Sequence, residues 1–283
     1  MPSVSEPSTL EEASEVLAGA GTVSIDRDGG DTRLSTAKLG RVLEYEPGDL
    51  TVIVEAGIRL SELQAYLAGH GQMLALDPPG DPTLGACLAA DLSGPRRHRY
   101  GAMRDLVIGV TVVLAGGLVA SSGGKVVKNV AGYDLGKLFS GSRGRLGLIA
   151  RVSLRLHPRP ASSATVVADG DPRAAWQELR ASQLEPSAVD LLPGRLAVLF
   201  EGPPAAVEAQ AAACPGERAG EAVWVESARV QAAAGGREPF AWQECLLARP
   251  GPGIAYVAAV SERAWPPLAE RVRASFDPDT VLA

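Results

Sequence analysis

Lysine, histidine, cysteine and asparagine are scarce in this chain, whereas glycine is abundant. The 283 residues include four lysines, three histidines, three cysteines and a single asparagine, against 32 glycines. The cysteines, Cys87, Cys214 and Cys245, are odd in number, and no two of them form a C-x-x-C pair. The chain alone therefore cannot ligate an iron–sulfur cluster or build a zinc ribbon, and its cysteine content is typical of a reducing compartment.

Excess positive charge and long apolar runs are also absent. The net charge is −6, and hydrophobic residues make up 46% of the chain. A general nucleic-acid or anionic-membrane binder would carry a basic surface, and no apolar run approaches the roughly 20 residues of a membrane span. The acidic N-terminus lacks the basic and apolar segments of a signal peptide. These features predict a cytoplasmic protein with no transmembrane segment and no nucleic-acid partner.

The first half of the chain is rich in strands and glycine-bearing turns. Residues 105–121 have the pattern of two strands joined at Ala115-Gly116-Gly117, which predicts a hairpin. A later strand ends at Pro158-Arg159-Pro160, which we take as a domain boundary. We therefore predict a first domain over 1–158, completed by residues 265–283, and a second domain over 159–264.

The second half has a different order of elements. Its patterns predict a strand at 164–168, a helix at 172–183, two strands within 187–202, a helix at 204–213 and a strand at 222–227. The order β-α-β-β-α-β is that of ferredoxin-like modules.

The familiar nucleotide-binding fingerprints are missing. No G-x-G-x-x-G stands between a strand and a helix, and Gly124-Lys125 lacks the flanking residues of a P-loop. What remains is a set of loops with small residues, where backbone N–H groups can approach an anion such as a pyrophosphate. These loops lie at 26–34, 80–86, 93–101, 123–129 and 141–147. Ordinary surface turns with solvated arginines are the alternative, and spacing alone does not decide between the two.

Several motifs in a fixed order resemble the FAD-binding domain of the vanillyl-alcohol-oxidase or PCMH type. They include TLG at 83–85, SGPRR at 93–97, KNVAGYDL at 128–135 and GSRGRLG at 141–147. Within that superfamily they are most similar to the FAD-binding E subunits of bacterial glycolate oxidase. With the pattern of the second half, the resemblance implies an α+β protein: a two-subdomain FAD-binding domain followed by a smaller, ferredoxin-like cap-type domain.

Matching the family motifs residue by residue implies a set of contacts with FAD. The first pyrophosphate loop would be Gly29, Gly30 and Thr32, and the second Pro79, Thr83, Leu84, Gly85 and Ala86. Ser93, Gly94, Arg97, Tyr100 and Gly101 would follow the flavin and ribityl chain. Lys125, Asn129, Gly132, Tyr133 and Asp134 would lie toward the isoalloxazine, and Gly144, Gly147 and Ile149 would line the channel between adenine and flavin. No metal site is implied.

The first of these loops departs from the family pattern. It has Gly29-Gly30-Asp31 where the family has three glycines. A carboxylate about 5 Å from a phosphate costs on the order of 3 kcal/mol at an effective dielectric of 20. Asp31 therefore either points away from the cofactor or weakens FAD binding. Some relatives attach FAD covalently to a histidine in this loop; here it has none, so we expect non-covalent FAD.

The scarcity of histidine limits the chemistry that this chain can perform by itself. His70 lies in a glycine turn and His157 before a proline, where structural roles are expected, so His98 is the one histidine with a catalytic claim, and a weak one. No residue after His157 supplies a histidine base or metal ligand for oxidising a hydroxy acid. We therefore expect an FAD-dependent oxidoreductase subunit that is inactive on substrate alone.

The resemblance implies a function and two partners. The chain would be the FAD-binding subunit of a glycolate, or 2-hydroxy-acid, oxidase complex, with a larger flavoprotein subunit and an iron–sulfur subunit. It would be cytoplasmic, or peripheral to the inner membrane through those partners. A stand-alone FAD-dependent oxidoreductase of another alcohol or hydroxy acid is the first alternative, and a flavin-free structural subunit is the second.

Overall fold

This computed structural model describes residues 3–19, 21–27, 29–124, 134–240, 245–259 and 267–282. Over these residues the chain forms four sheets and ten α-helices. The helices are α1 Leu10–Gly19, α2 Leu60–Ala68, α3 Leu84–Ala89, α4 Arg97–Tyr100, α5 Met103–Leu106, α6 Leu135–Phe139, α7 Pro172–Ala181, α8 Pro204–Ala213, α9 Ala222–Ala233 and α10 Pro267–Phe276. The strands of the first half are β1 Ser3–Ser5, β2 Val23–Ile25, β3 Thr32–Leu34, β4 Val42–Glu46, β5 Thr51–Glu55, β6 Gln72–Met73, β7 Val107–Val113, β8 Val119–Gly123, β9 Leu148–Arg155 and β10 His157–Pro158. Those of the second half are β11 Ser162–Asp169, β12 Ala188–Leu192, β13 Arg195–Gly202, β14 Glu217–Ala219, β15 Gly236–Pro239, β16 Leu247–Arg249 and β17 Ile254–Val257.

The first half contains a five-stranded antiparallel sheet with the order β4-β5-β9-β7-β8. Its strands are rich in valine, isoleucine and leucine, and α2, α3, α5 and α6 cover one face through a large apolar core. The predicted hairpin over 105–121 is confirmed, because β7 and β8 pair directly across residues 115–117.

A small parallel sheet, ordered β1-β3-β2, covers the other face of the five-stranded sheet together with α1. Ala13 and Leu17 of α1 pack with Val23 and Leu34 of the small sheet and with Leu148 of β9. The first half therefore consists of two sheet layers, the five-stranded sheet and the small parallel sheet. A ligand can enter the space between the ends of these two sheets.

The second half is built around a seven-stranded antiparallel sheet with the order β14-β11-β13-β12-β16-β17-β15. Helices α7 and α8 pack on one face and α9 on the other. Strands β11 to β14 alone have the order β14-β11-β13-β12, with two helices on one face.

The predicted strand at 222–227 is wrong, because these residues begin helix α9 and the fourth strand is β14 at Glu217–Ala219. The alternation of Val223 and Val225 suggested a strand. The residues that reach the core are Val223 and Val230, and Ser227 between them is buried. That spacing of four and three residues is helical.

Residues near the C-terminus return to the first half of the chain. Val272 and Phe276 of α10 pack against its main core. Leu282 forms a parallel bridge with Val23, whose backbone N–H donates to the carbonyl oxygen of Val281 at 2.6 Å. None of the helices over the described residues is both long and apolar enough to cross a membrane.

Candidate functional site

A cavity of about 400 Å³ lies between the small parallel sheet, helix α3 and the start of β9. Ile25, Leu148 and Ile149 provide apolar surface. Much of the remaining wall comes from residues with little or no side chain: Gly85, Ala86, Ala89, Ala90, Gly144 and Gly147. Because these residues leave the main chain accessible, a ligand can lie directly against the wall.

Helix α3 forms the first side of this cavity. The Thr83 side-chain Oγ1 accepts a hydrogen bond from the Ala86 N–H at 3.2 Å and caps the helix start. The Gly85 N–H donates to the Ala56 carbonyl oxygen at 2.6 Å, and a Cβ on Gly85 would lie 3.1 Å from that oxygen. Glycine therefore lets α3 lie on the end of β5. Ala86, Ala89 and Ala90 follow at helical spacing and turn small side chains to the cavity.

The segment 141–147 forms the second side and is fixed to α3. The Gly141 N–H donates to the Leu88 carbonyl and the Arg143 N–H to the Ala89 carbonyl, at 3.0 and 2.8 Å. Gly147 has φ +148°, and a Cβ there would lie 2.6 Å from the Val113 carbonyl oxygen. This position requires glycine, because neither its φ nor the space beside it accepts a side chain.

Two arginines and one aspartate supply the charge of the cavity wall. Arg143 and Asp26 both line it in the left-handed region, with φ of 54° and 50°, and such strained residues concentrate at functional sites. The Asp26 carboxylate is fixed by the backbone N–H of Thr36 at 2.8 Å and by the Thr36 hydroxyl. Arg27 lines the cavity as well, and within the described ranges the Arg143 side chain has no ion-pair partner.

The glycines of the first predicted pyrophosphate loop lie outside the lining of this cavity. Strands β2 and β3 are parallel but are joined by residues 26–31 alone, although a parallel connection normally needs a dozen or more residues. The short loop turns back with φ of 133° at Gly29 and 67° at Gly30. A Cβ on Gly30 would lie 2.8 Å from the Thr22 carbonyl oxygen. Gly30 therefore lies close against the start of β2 while Gly29 is exposed, Thr32 lies within β3, and Asp26 and Arg27 of the same loop line the cavity.

Asp31 of the same loop is directed toward Thr22. Its Oδ2 accepts hydrogen bonds from the Thr22 N–H at 3.0 Å and the Thr22 hydroxyl at 2.8 Å. These hydrogen bonds lower the pKa of the exposed Asp31 carboxyl. Asp31 does not line the cavity, so of the two alternatives for this residue the structure supports the one in which it points away.

The remaining predicted residues are distributed over both sides of the site. Gly85 and Ala86 of the second loop line the cavity, whereas Thr83 caps α3 and Leu84 is fully buried. Pro79 lies in the preceding turn. Gly144, Gly147 and Ile149 line the cavity as well. Lys125, Asn129, Gly132 and Tyr133 lie outside the described residues, and Asp134 caps α6 through the Lys137 N–H at 3.2 Å.

The residues predicted to follow the flavin form the segment after α3. The Arg97 guanidinium donates to the Ser93 hydroxyl at 3.2 Å. Gly94 packs so closely on Asp77 that a Cβ would lie 1.8 Å from the Asp77 carbonyl oxygen. Tyr100 stacks edge-on against His157, and Gly101 ends α4 with φ 85°. This segment continues from the cavity toward the second domain.

A second cavity of about 350 Å³ opens between the two halves of the chain. The Arg96 guanidinium reaches across it to the buried Glu201 carboxylate at 2.6 Å. Burial raises the pKa of Asp77, which lines this cavity, to about 7, against the opposing charges of Arg96 and Arg249. Asp77 is therefore a carboxyl that can exchange a proton near neutral pH.

His98 lies in the contact between the two halves and lines neither cavity. Its ring faces Trp176 edge-on, and a Cβ on Gly251 would lie 2.2 Å from its Nδ1. Burial lowers the pKa of His98, which favours the neutral ring. Nδ1 is buried and has no hydrogen-bond partner among the described residues.

Sequence reasoning missed several residues of the main cavity. Ala89 and Ala90 could have been found, because with Ala86 they repeat small side chains at helical spacing. Asp26, Arg143 and Thr36 could not, since their positions depend on the left-handed backbone and on a hydrogen bond between distant residues.

The residues present fit FAD. A dinucleotide needs an extended wall without large side chains and cations near its diphosphate, and the cavity offers small residues on α3 and 141–147 with Arg27 and Arg143. Over the part of the chain that is described, no three histidine, cysteine or acidic side chains are grouped to hold a metal ion.

Comparison with known proteins agrees with this fit. A family model described as an FAD binding domain matches residues 11–123. Glycolate oxidase subunit GlcE of Escherichia coli is 33% identical over 189 residues, which are 65% of this chain and 54% of GlcE. A mitochondrial D-lactate dehydrogenase [cytochrome] of Arabidopsis thaliana is 40% identical over 151 residues, 53% of this chain and 25% of the relative. Glycolate oxidase subunit GlcD of Bacillus subtilis is 36% identical over 132 residues, 46% and 28% of the two chains.

The fold has relatives among solved structures. Alkyldihydroxyacetonephosphate synthase superimposes with a TM-score of 0.64 at 18% identity, covering 79% of this chain and 55% of that one. The predicted mixture of helices and sheets in an α+β fold is thereby confirmed. The chain spans about half the length of GlcE and about a quarter of the two other relatives. Residues 11–123 thus match the description of an FAD binding domain, and FAD is the cofactor that this match indicates.

Proposed function

We propose that this chain is the FAD-binding subunit of a 2-hydroxy-acid oxidase complex of the glycolate oxidase kind. The observation that carries the proposal is the cavity of small residues on α3 and 141–147 within a chain related to GlcE. Bound FAD supplies a two-electron acceptor. The chain's own part is to bind the cofactor, keep it oriented and exclude water from its diphosphate.

Each wall has a definite task in this proposal. Gly85, Ala86 and Ala89 admit the cofactor chain against the backbone, and the Arg27 and Arg143 guanidiniums offset the diphosphate charge. Among the described residues that line the cavity there is no cysteine or histidine, which supports non-covalent binding. Burial raises the pKa of the nearby Cys87 thiol to about 12, so this side chain is a core residue and not a nucleophile.

The proposed architecture is an FAD-binding domain over 1–158, completed by 265–283, and a cap-type domain over 159–264. The separate apolar cores of the two halves and the packing of α10 on the first core support this division. The strand order β14-β11-β13-β12 supports a ferredoxin-like cap, extended by β15 to β17.

The partners in this proposal are a larger flavoprotein subunit and an iron–sulfur subunit. The similarity to both GlcE and GlcD, which are named as subunits of glycolate oxidase, supports an assembly of several chains. The complex would be cytoplasmic, or peripheral to the inner membrane through its other subunits.

Spectroscopy of the purified chain tests the proposal. We expect a visible flavin spectrum, release of FAD on denaturation, bleaching by dithionite, and negligible bleaching by glycolate or D-lactate without partner subunits. A colourless protein that does not take up added FAD would instead support a flavin-free structural subunit and contradict the proposal.

One observation favours the stand-alone oxidoreductase as a second candidate. Oxidising a hydroxy acid requires a base for the hydroxyl proton, and the second cavity places Asp77, with a pKa near neutrality, beside Arg96. If anaerobic D-lactate or another hydroxy acid bleaches the flavin of the isolated chain, and Asp77→Asn abolishes that bleaching, the stand-alone enzyme replaces the subunit.

A further inference from the structure

The second domain contacts the segment that follows the FAD cavity. Asp91 comes directly after Ala90, the last cavity residue of the α3 wall, and has φ 47°. Its Oδ1 accepts from the Ser140 hydroxyl at 3.2 Å. Ser140 directly precedes the 141–147 wall, so the Asp91 carboxylate joins the ends of both cavity walls.

Arg237 of β15 reaches this junction from the second domain. Its guanidinium donates to the Asp91 carbonyl oxygen at 2.9 Å and to Asp91 Oδ2 at 3.0 Å. The Asp91 side chain of this ion pair is largely buried, with 13% of it exposed to solvent. Arg97 lies 3.7 Å from the same Oδ2, and its shorter bond is to the Ser93 hydroxyl. Arg237 is therefore the closest cationic contact of the Asp91 carboxylate.

Two further contacts hold the same segment to the second domain. Gln231 of α9 donates from Nε2 to the Ser93 carbonyl oxygen at 2.8 Å. Glu201 of β13 binds the Arg96 guanidinium at 2.6 Å. Three elements of the second domain thus contact residues 91–96, and the Arg237 contact is the one next to the cavity.

We propose that Arg237 is a positioning residue for FAD: through Asp91 it holds the two walls of the cavity at the spacing that FAD requires. Binding of FAD and docking of the second domain then favour each other, because both depend on the same arrangement of the walls. The proposal rests on FAD binding and is independent of the proposed electron transfer. It gives the second domain a task in cofactor retention although Arg237 does not line the cavity.

The dissociation constant of FAD tests this coupling. We expect Arg237→Gln to raise it about tenfold, equivalent to 1.4 kcal/mol, and Arg237→Lys to have a smaller effect because it keeps the charge but loses the two-pronged contact. Arg218→Gln is the matched control, since Arg218 pairs with Glu208 inside the second domain. Dissociation constants that are equal for the wild type and both glutamine variants, or raised equally in the two, would overturn the proposal.

Hydrogen exchange of the wild-type protein gives a second test that needs no variant. Because coupling is reciprocal, adding FAD should slow amide exchange in β15, at Gly236–Pro239, although this strand lies outside the cavity lining. The slowing should disappear in Arg237→Gln while the unfolding midpoint of its apo form stays close to that of Arg218→Gln. Exchange in β15 that is unaffected by FAD in the wild type would show that the second domain does not sense the cofactor.

Discussion

The two loops expected to hold the pyrophosphate look alike in sequence but differ in structure. The loop at 80–86 leads into a helix whose small residues face the cavity, whereas Gly29 and Gly30 do not line it and Gly30 lies close against β2. The difference arises from the length of the connection between β2 and β3. The connection between β2 and β3 has six residues that return the chain to the start of a parallel strand, and its first two residues, Asp26 and Arg27, line the cavity. Glycine content shows where a chain can turn, and only its connections show whether a ligand can use the turn.

The largest expected effect comes from filling the cavity on the α3 side. Ala86→Leu should raise the FAD dissociation constant at least about 100-fold, because an exposed helix residue becomes bulky where the cofactor must lie. Ala65→Leu, on the exposed face of α2, is the control. Flavin fluorescence titration measures both. A Thr32→Ser variant in β3 should leave FAD binding unchanged, and if it alone lost FAD the roles of the two loops would be reversed.

Asp77 and Asp31 should change the free energy of unfolding in opposite directions as the pH rises. Asp77 supports Gly94 in the segment after α3, and burial raises its pKa from 3.8 to about 7. Between these values the folded protein keeps a proton that the unfolded chain has released. The free energy of unfolding should therefore fall by about 1 kcal/mol per pH unit as the pH rises from 4 to 7.

Urea unfolding at pH 5 and pH 8 measures this slope, and Asp77→Asn should remove it. Hydrogen bonds from Thr22 lower the pKa of Asp31 in the folded protein. The Asp31 carboxylate therefore stabilises the fold at pH values above the pKa that it has in the unfolded chain. This stabilisation is lost as the pH falls through the lower pKa of the folded state. The Asp31→Asn variant should therefore keep the Asp77 slope. If the free energy of unfolding changed with pH identically in the wild type and in Asp77→Asn, the slope could not be assigned to Asp77.

The next effect concerns charge on the 141–147 wall. Arg143→Gln should weaken FAD binding about tenfold at low salt, because its guanidinium lines the cavity. The loss should shrink as salt screens the diphosphate. Arg180→Gln on α7 removes the same charge far from the cavity and should change nothing. Equal dissociation constants for the two variants at every salt concentration would show that Arg143 does not face the diphosphate.

The smallest effect separates two acids within the first loop. Asp26 lines the cavity and Asp31 does not. At about 7 Å in a water-like dielectric a like charge costs about 0.6 kcal/mol, so Asp26→Asn should tighten FAD binding about threefold at low salt. Asp31→Asn should have no effect on the same titration. Weaker binding by Asp26→Asn would mean that its carboxylate accepts a hydrogen bond from the cofactor.

These cases show what the sequence could and could not predict. The hairpin and the place of Gly85, Ala86, Gly144 and Gly147 in the cavity follow from local pattern and motif. The strand expected at 222–227 failed because two valines at alternating positions also fit a helix that packs through Val223 and Val230. The role of Asp26 depends on pairing between β2 and β3, which no local window contains.

The bridge between Val23 and Leu282 has a consequence for how the protein is made. Both residues belong to one apolar cluster with α1, although 259 positions (282 − 23) separate them. On the ribosome the bridge from Leu282 to β2 cannot form until residue 282 has emerged, whereas all strands of the small parallel sheet and of the five-stranded sheet are available once Arg155 has emerged. Contacts so distant in sequence form slowly. The wall that carries Asp26 and Arg27 should therefore be the last part of the FAD cavity to assemble.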